Sequence, residues 1–419
     1  MKPEIKQRIE QMRCGEQPEG YKKTKAGILP ADWDVYMLGD CLRRVEKPVE
    51  IKPNELYTQI GIRSHGKGLF YKEPVTGAAL GNKSVFWIEP DCFIVNIVFA
   101  WEQAIGKTTQ SEVGMIGSHR FPMYRPVNDR VDVDYLISYF LTKQGIDILG
   151  SASPGGAGRN KTLGQDRFLK SKIVLPPIEE QQKIAAILTT QDKVIELKEK
   201  RLAEKQRQKK YLMQQLLTGK KRLPGFSGEW KKTKLKNILH ERKTYSPKGL
   251  NYPHVTLSTE GIFPKSERYD RDHLVRDEDK EYKITHKGDI CYNPANLKFG
   301  AICENTFGDA IFSPIYVTFE VRKNVCREYL ANYLMRWDFI NAVRKYEEGT
   351  VYERMAVKPE DFLKFEIFLP QIEEQTAIAE VLTAAGREME LLRQEIEQEK
   401  QKKKALMQLL LTGIVRVNV

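Results

Sequence analysis

The sequence has no run of apolar residues long enough to cross a bilayer. The longest such run, Phe93–Trp101, is interrupted by Asn96 and has the length of a strand. The opening stretch MKPEIKQRIEQMRCGE has neither the apolar core nor the small-residue cleavage site of a signal peptide. These absences predict a cytoplasmic protein without a membrane partner.

Cysteine is scarce and scattered. The 419 residues include six cysteines, none of them in a CxxC pair, and the histidines show no metal-ligand spacing relative to them. The sequence therefore predicts no metal site and no disulfide framework. Reduced, mostly buried thiols are the expected state of these side chains.

Acidic residues are in the minority. Lys and Arg number 68 against 56 Asp and Glu, which gives a formal net charge of +12 and a pI near 9.1. A basic balance favours a polyanionic partner, with nucleic acid first and an anionic membrane surface second. The alternative is a solvated, lysine-rich surface.

One phrase occurs twice. The chain reads LPPIEEQQKIAAIL at 175–188 and LPQIEEQTAIAEVL at 369–382, an offset of 194 residues that also relates the two LLTG stretches at 216–219 and 410–413. Each half opens with a Leu-Pro pair followed by a tryptophan, Trp33 or Trp230. The chain is thus a variable globular segment and a shared helix, written twice.

This repeat predicts five segments. They are an N-terminal helical extension (1–20), a first domain (21–174), a first long helix (175–221), a second domain (222–368) and a second long helix (369–419).

Apolar residues at steps of three and four predict two long amphipathic helices. Each would have about 40 residues and a length of roughly 60 Å. The predicted seam contains Ile184, Leu188, Ile195, Leu202, Leu212, Leu216, Ile378, Leu382, Met389, Leu392, Ile396, Leu406 and Leu410. Such a stripe needs a partner, and we expect the two copies to form an antiparallel coiled coil. The alternative is that each helix packs on its own domain.

Both globular segments indicate a mixed α/β (α+β) fold. Stretches 57–64, 84–88 and 92–101 are typical of strands in the first, as are 254–258, 288–293 and 315–321 in the second. One amphipathic helix is predicted at 132–149 and its counterpart at 327–346. The order is the same in both halves, although few side chains are shared.

Catalytic motifs are missing. The loop around Gly155–Thr162 lacks the second glycine of a phosphate-binding loop, because Asn160 stands in its place. The stretch CYNPANLKF (291–299) lacks the aromatic residue of a methyltransferase Asn-Pro-Pro-Tyr motif. Neither a nucleophile–histidine pair nor a nuclease-type carboxylate cluster is evident, which predicts a binding protein rather than an enzyme.

The doubled LP-x-IEEQ, the LLTG endings, the Leu-Pro…Trp openings and HKGDICYN (286–293) resemble the specificity subunits of type I restriction–modification systems. The resemblance covers nearly the whole chain except about the first twenty residues. It implies two target-recognition domains, each reading one half of a split double-stranded DNA target, and a paired-helix spacer between them.

The resemblance further implies that two modification (methyltransferase) subunits and a translocating restriction subunit join this chain. The methyl donor and ATP would then be bound by those partners, and this chain would need no cofactor. One departure lies in the first domain, where IEPDCFIVN (88–96) places Pro90 at the glycine of HKGDICYN.

DNA contacts are expected from cations, amides and one aromatic residue on loops. The candidates are Arg63, His65, Lys67, Arg120, Arg159, Asn160 and Lys161 in the first domain, and Lys265, Arg268, Asn293, Asn296, Lys298, Tyr352 and Arg354 in the second. For each of them the alternative is a solvated surface side chain.

Two other functions stay open from the residues alone. The chain could be a coiled-coil adaptor that joins protein partners without touching DNA, or an enzyme whose active site is assembled from distant residues. The basic balance disfavours the first of these.

Overall fold

The computed structural model describes residues 3–24, 27–81, 83–155, 161–247, 252–265, 281–347 and 356–417. The chain divides into two compact units. Unit 1 contains Met1–Glu199 and Glu395–Val419, and unit 2 contains Lys200–Gln394. Each unit therefore holds one globular domain and a portion of both long helices.

Runs of short strands lie between the helices of the described chain. The α-helices of at least five residues are Pro3–Arg13, Val133–Phe140, Lys143–Ser151, Gln165–Leu169, Ile178–Leu216, Arg327–Leu334, Trp337–Val343, Pro359–Lys364 and Ile372–Leu410. The strands of three or more residues in unit 1 are Tyr21–Thr24, Gly27–Pro30, Asp34–Met37, Leu42–Val45, Ile60–Ile62, Leu69–Tyr71, Val85–Trp87, Phe93–Val95, Ile105–Lys107, Ile116–Ser118, Met123–Pro126 and Lys172–Leu175. Those in unit 2 are Lys231–Lys234, Leu239–Glu241, Tyr245–Pro247, Val255–Ser258, Gly261–Pro264, Glu281–Thr285, Ile290–Tyr292, Ile302–Glu304, Ala310–Phe312, Val317–Val321 and Glu366–Leu369.

Each domain contains a four-stranded antiparallel sheet with the same order. In the first domain the order is 42–45, 123–126, 93–95, 105–107, and in the second it is 239–241, 317–321, 290–292, 302–304. The predicted mixed fold in two copies is therefore confirmed.

Four predicted elements differ from the structure. The strand expected at 57–64 is divided into Leu56–Tyr57 and Ile60–Ile62. The single helices expected at 132–149 and 327–346 are each broken into two. In the first domain the break falls where the Thr142 hydroxyl accepts a hydrogen bond from the Gly145 amide at 3.2 Å and starts a new helix. The strand expected at 92–101 ends at Val95, because Asn96 begins a turn.

Aromatic rings fill the two domain cores, in which Phe168 and Phe362 hold equivalent positions. Phe168 stacks on Phe93 with centroids 6.0 Å apart, and Phe362 stacks on Tyr292 at 4.9 Å. These cores extend onto the long helices: Ile184, Leu188 and Leu410 join the first core, whereas Leu216, Ile378 and Leu382 join the second. Burying such side chains contributes about 1.5–3 kcal/mol each, so each domain is anchored to its helices.

In unit 1 the long helices run antiparallel. The Gln191 amide donates to Glu399 Oε2 at 2.7 Å, and further along the helix Lys198 Nζ lies 2.8 Å from Glu395. The partner number falls as the first number rises. The same holds in unit 2, where Lys205 pairs with Glu388 at 2.8 Å and the amine of Lys209 lies beside Gly386. The predicted antiparallel pairing is confirmed.

The predicted seam is buried along most of its length. Ten of its members are less than 10% exposed: Ile184, Leu188, Ile195, Leu216, Ile378, Leu382, Met389, Leu392, Ile396 and Leu410. Leu202, Leu212 and Leu406 are half-buried. Both expectations for the seam are met in part. Its central members lie between the two helices, and its outer members also pack on the domains.

The repeated glutamine fastens each helix start to its domain. The Gln181 side chain accepts a hydrogen bond from the Asp132 amide at 2.9 Å and donates to the Pro176 carbonyl at 2.9 Å. Its repeat mate, Gln375, accepts from the Cys326 amide at 3.0 Å and donates to the Pro370 carbonyl at 2.8 Å. The glutamine of LP-x-IEEQ is thus fixed by its hydrogen bonds.

In each unit the second glutamate of LP-x-IEEQ pairs with an arginine that follows the end of the other long helix. Glu180 is fully buried and accepts two bonds of 2.8 Å from Arg416, three residues beyond the LLTG of the other helix. Glu374 accepts bonds of 2.5 and 2.7 Å from Arg222, which follows the first LLTG in the same way. We call each of these pairs a helix-end clamp. Arg416 also binds Asp32 and lowers the pKa of that carboxyl.

Gly219 and Gly413 end the long helices, as predicted. Their φ angles are 70° and 71°, in the left-handed region where glycine carries no side-chain penalty. A Cβ on either would approach a tryptophan, Trp230 or Trp33, to about 3.3 Å. The glycines therefore let the chain turn tightly against the opening residues of each half.

The N-terminal segment covers one of these turns. The Tyr21 hydroxyl donates to the Gly413 carbonyl at 2.7 Å, and Arg8 donates to the Ile414 carbonyl at 2.9 Å. Arg8 also lies over the Tyr21 ring, 5.3 Å from its centroid. The helix Pro3–Arg13 is thus tied to unit 1 at the end of the second long helix.

Candidate nucleic-acid interface

Three of the predicted DNA-binding residues lie on one loop of the first domain. Arg63, His65 and Lys67 follow the strand Ile60–Ile62, and all three are exposed. The Arg63 guanidinium donates to the Leu69 carbonyl at 2.7 Å and lies over the Phe70 ring, so it is held against its own hairpin. His65 adopts a φ of 62°, and its amide donates to the Glu102 carbonyl.

Arg120 lies apart from that loop, in a turn closed by a hydrogen bond of 2.8 Å from the Phe121 amide to the Ser118 carbonyl. The side chain is exposed and has no ion pair among the described residues. Lys161 lies over the Trp101 ring at 5.4 Å. Arg159 and Asn160 fall outside the described residues.

In the second domain the candidates divide by exposure. Asn293 is 5% exposed, and its side-chain oxygen accepts a hydrogen bond from the Ala295 amide at 3.1 Å, so it stabilises its own turn. Asn296 is exposed, whereas Lys298 and Lys265 are partly exposed. Arg268, Tyr352 and Arg354 lie outside the described residues.

A cleft of about 700 Å³ lies beside Arg120 in the first domain. Its lining includes Gln59, Lys72, Lys83, Phe99 and His119, none of which the sequence predicts to bind DNA. The lining contains three Lys or Arg side chains and no carboxylate among the described residues. A concave surface of this charge is suited to a phosphate-bearing ligand.

The HKGD motif of the second domain is a structural turn. Gly288 has a φ of 94°, and the neighbouring Asp289 is 3% exposed. Asp289 accepts a bidentate pair of bonds from Arg242 at 2.9 and 3.0 Å and a bond from the His286 amide at 2.8 Å. The pair raises the pKa of Arg242. The motif thus holds the sheet edge rather than a ligand.

The equivalence of Pro90 with that glycine was wrong. Gly288 donates its amide to the Asn305 carbonyl, and in the first domain it is the Asp91 amide that donates to the matching Thr108 carbonyl. Asp91 has a φ of 55°, in the same left-handed region as Gly288. Aspartate tolerates this conformation better than most residues, so the turn is kept without glycine.

The doubled architecture agrees with a doubled family match. The model of the type I restriction modification DNA specificity domain matches residues 30–206 and again 227–401. The chain belongs to this family. Each match spans a globular domain and most of the long helix that follows it.

Two curated members of the specificity-subunit family are similar over nearly their whole length. The "Putative type I restriction enzyme MjaX specificity subunit" of Methanocaldococcus jannaschii is 26% identical, across 95% of this chain and 97% of that protein. The MjaVIII specificity subunit of the same organism is 24% identical, across 95% and 96%.

Solved structures of the family share the fold. One from work on complex assembly of the type I system has a TM-score of 0.58 at 16% identity and covers 92% of this chain and 99% of its own. The S subunit from M. genitalium has a TM-score of 0.54 at 10% identity, with coverages of 90% and 96%. In the described part of this chain no helix is long and apolar enough to span a membrane.

Proposed function

We propose that this chain supplies DNA sequence specificity to a type I restriction–modification complex. Each globular domain reads one half of a split double-stranded target, and the paired helices set the gap between the halves. The chain itself contributes binding and not catalysis.

The observation that carries this proposal is a shared frame with different exposed residues. Both domains have the same sheet order, the same helix-end clamp and the same glutamine anchor. Their loops differ: the turn tip that carries Arg120 in the first domain carries Ile315 in the second. A repeated frame with altered loops is what two readers of different half-sites require.

The partners follow from this role. We propose that two methyltransferase subunits and a translocating restriction subunit join the chain, with the paired helices as the dock for the methyltransferases. The methyl donor and ATP would be bound by those subunits, and the complex would act on DNA in the cytoplasm. The net charge of +12 supports contact with a polyanion.

Sequencing of methylated bases tests the proposal. Cells with and without this gene, both carrying the methyltransferase partner, are compared. The expected difference is one methylated motif of two short blocks separated by a fixed gap. A continuous motif, or no difference, would contradict the proposal. Exchange of residues 230–365 for those of another family member should change one block only.

The adaptor alternative makes a different prediction. An adaptor without DNA contact would give a complex whose DNA affinity is the same with and without this chain. A specificity subunit would raise the affinity for its target and give a steep dependence on salt, because phosphate contacts release counterions. Titration of a labelled duplex at two salt concentrations distinguishes the two.

A further inference from the structure

The two domains carry the same turn after their central strands. Asn96 and Asn293 are both less than 10% exposed. Each side-chain oxygen accepts a hydrogen bond of 3.1 Å from the backbone amide two residues further along the chain. In each turn the backbone carbonyl of the asparagine then accepts a bond of 3.1 Å from the amide three residues on, which belongs to Phe99 or Asn296. Phe99 and Asn296 therefore hold equivalent, exposed positions.

A second turn is also shared. The Tyr316 amide donates to the Ser313 carbonyl at 3.0 Å, as the Phe121 amide does to Ser118 at 2.8 Å. The two residues at the tip are exposed in each domain. They are His119-Arg120 in the first domain and Pro314-Ile315 in the second. The same turn thus presents a cation in one domain and an aliphatic side chain, 60% exposed, in the other.

Each domain also has a lysine near its second turn. The Lys72 amide donates to the Gln59 carbonyl at 2.9 Å, and the Lys265 amide donates to the His254 carbonyl at 3.0 Å. Gln59 and His254 each form an isolated parallel bridge to the strand that leads into the second turn. A lysine thus holds this position in both domains, whereas the residues at the tip of the second turn differ.

The two turns are neighbours within each domain. In the first, the Ile97 amide donates to the Arg120 carbonyl at 3.0 Å, and both turns line the acid-free cleft. In the second, Tyr292 lies opposite Val317 across two paired strands, which brings the residues after Tyr292 beside those before Val317.

We propose that these matching turns are the base-reading edges of the two domains, an inference that rests on the proposed function. Arg120 and Phe99 read one half-site, and Ile315 and Asn296 read the other. Lys72 and Lys265 contact phosphate and fix the register. Arginine pairs with the two acceptors of guanine, asparagine with adenine, and an aliphatic side chain with the thymine methyl group.

This assignment predicts which letters change. Arg120→Ile should relax or replace one base in one block of the methylated motif, with about a ten-fold or greater loss of affinity for the original half-site. Ile315→Arg should alter one base in the other block and leave the first intact. Arg120→Lys keeps the charge but loses the paired geometry, so it should also relax that position.

The test is methylated-base sequencing of each variant beside the unaltered chain, with duplex binding of the purified complexes. Lys143→Ala, an exposed cation elsewhere in the first domain, is the matched control and should leave both blocks unchanged. Thermal unfolding of each variant checks that the exposed substitutions leave the fold intact.

The outcomes separate the two proposals. If the unaltered chain specifies no bipartite motif, the proposed function fails and this inference falls with it. If it does specify one, but Arg120→Ile and Ile315→Arg leave both blocks unchanged, the inference is overturned while the function stands. A uniform loss of affinity for all sequences would make Arg120 a phosphate contact and also overturn the assignment.

Discussion

Arg416 Nε lies 2.8 Å from Glu180 Oε1, although 236 residues separate them along the chain. The carboxylate is fully buried and also accepts a bond of 3.0 Å from the Trp33 indole. A single buried anion thus joins the start of one long helix, the end of the other and the opening of the first domain.

Loss of this arginine should destabilise unit 1. We expect Arg416→Gln to cost about 3 kcal/mol, near the low end for breaking a buried pair because the arginine is partly exposed. Chemical denaturation measures the cost. The control is Arg207→Gln, which breaks an exposed pair with Glu204 and should cost less than about 1 kcal/mol. Equal costs would show that the clamp does not stabilise the unit.

The two tryptophans should respond differently to the same change. Trp33 donates to buried Glu180, whereas the indole nitrogen of Trp230 is buried without a hydrogen-bond partner in the described structure. Both substitutions to phenylalanine remove the same volume. Trp33→Phe should therefore cost about 1–3 kcal/mol more than Trp230→Phe. The difference between the two unfolding free energies is the measurement, and a difference near zero would contradict the prediction.

Lys209 should make the free energy of unfolding rise with pH in the alkaline range. Burial lowers the pKa of this amine, and nearby Arg393 lowers it further. The charged form is therefore disfavoured in the folded state, and this cost is relieved as pH rises through the lowered pKa. Lys209→Met should raise the unfolding midpoint at pH 7, with a gain that shrinks towards pH 10. Exposed Lys210→Met should show no such trend in parallel thermal scans.

Helix length should set the gap in the methylated motif. Four residues inserted into one long helix add about 6 Å, which equals roughly two base pairs at about 3.4 Å each. Base-modification sequencing should show both blocks unchanged and the gap longer by about that amount. A gap of unaltered length would mean that the helices do not determine the spacing.

The long helices and their seam could be predicted from the sequence because the motifs that define them occur twice. The offset of LP-x-IEEQ located both helix starts, and the steps of three and four located the seam. The clamps were not predicted from the sequence, although Arg222 and Arg416 are separated by the same offset. Their role depends on an antiparallel pairing that brings distant residues together, and periodicity describes one helix at a time.

The exposed surfaces were harder to predict for a different reason. Asn293 looks like a free amide in the sequence, but its hydrogen bond to the Ala295 amide holds it in a turn. Ile315 looks like a strand residue, yet it lies at an exposed turn tip. Such positions depend on where a strand ends, which a single tertiary hydrogen bond can shift.

The division of the chain also affects the order in which it can fold during synthesis. Unit 2 is one continuous stretch, Lys200–Gln394, whereas unit 1 needs Glu395–Val419 to be complete. The ribosome therefore produces the first domain long before Leu410 and Leu411, which complete its core, and Arg416, which pairs with Glu180. The domain that is synthesised first is therefore the last to be completed. The carboxylate of Glu180, at the start of its long helix, has no arginine partner until Arg416 has been synthesised.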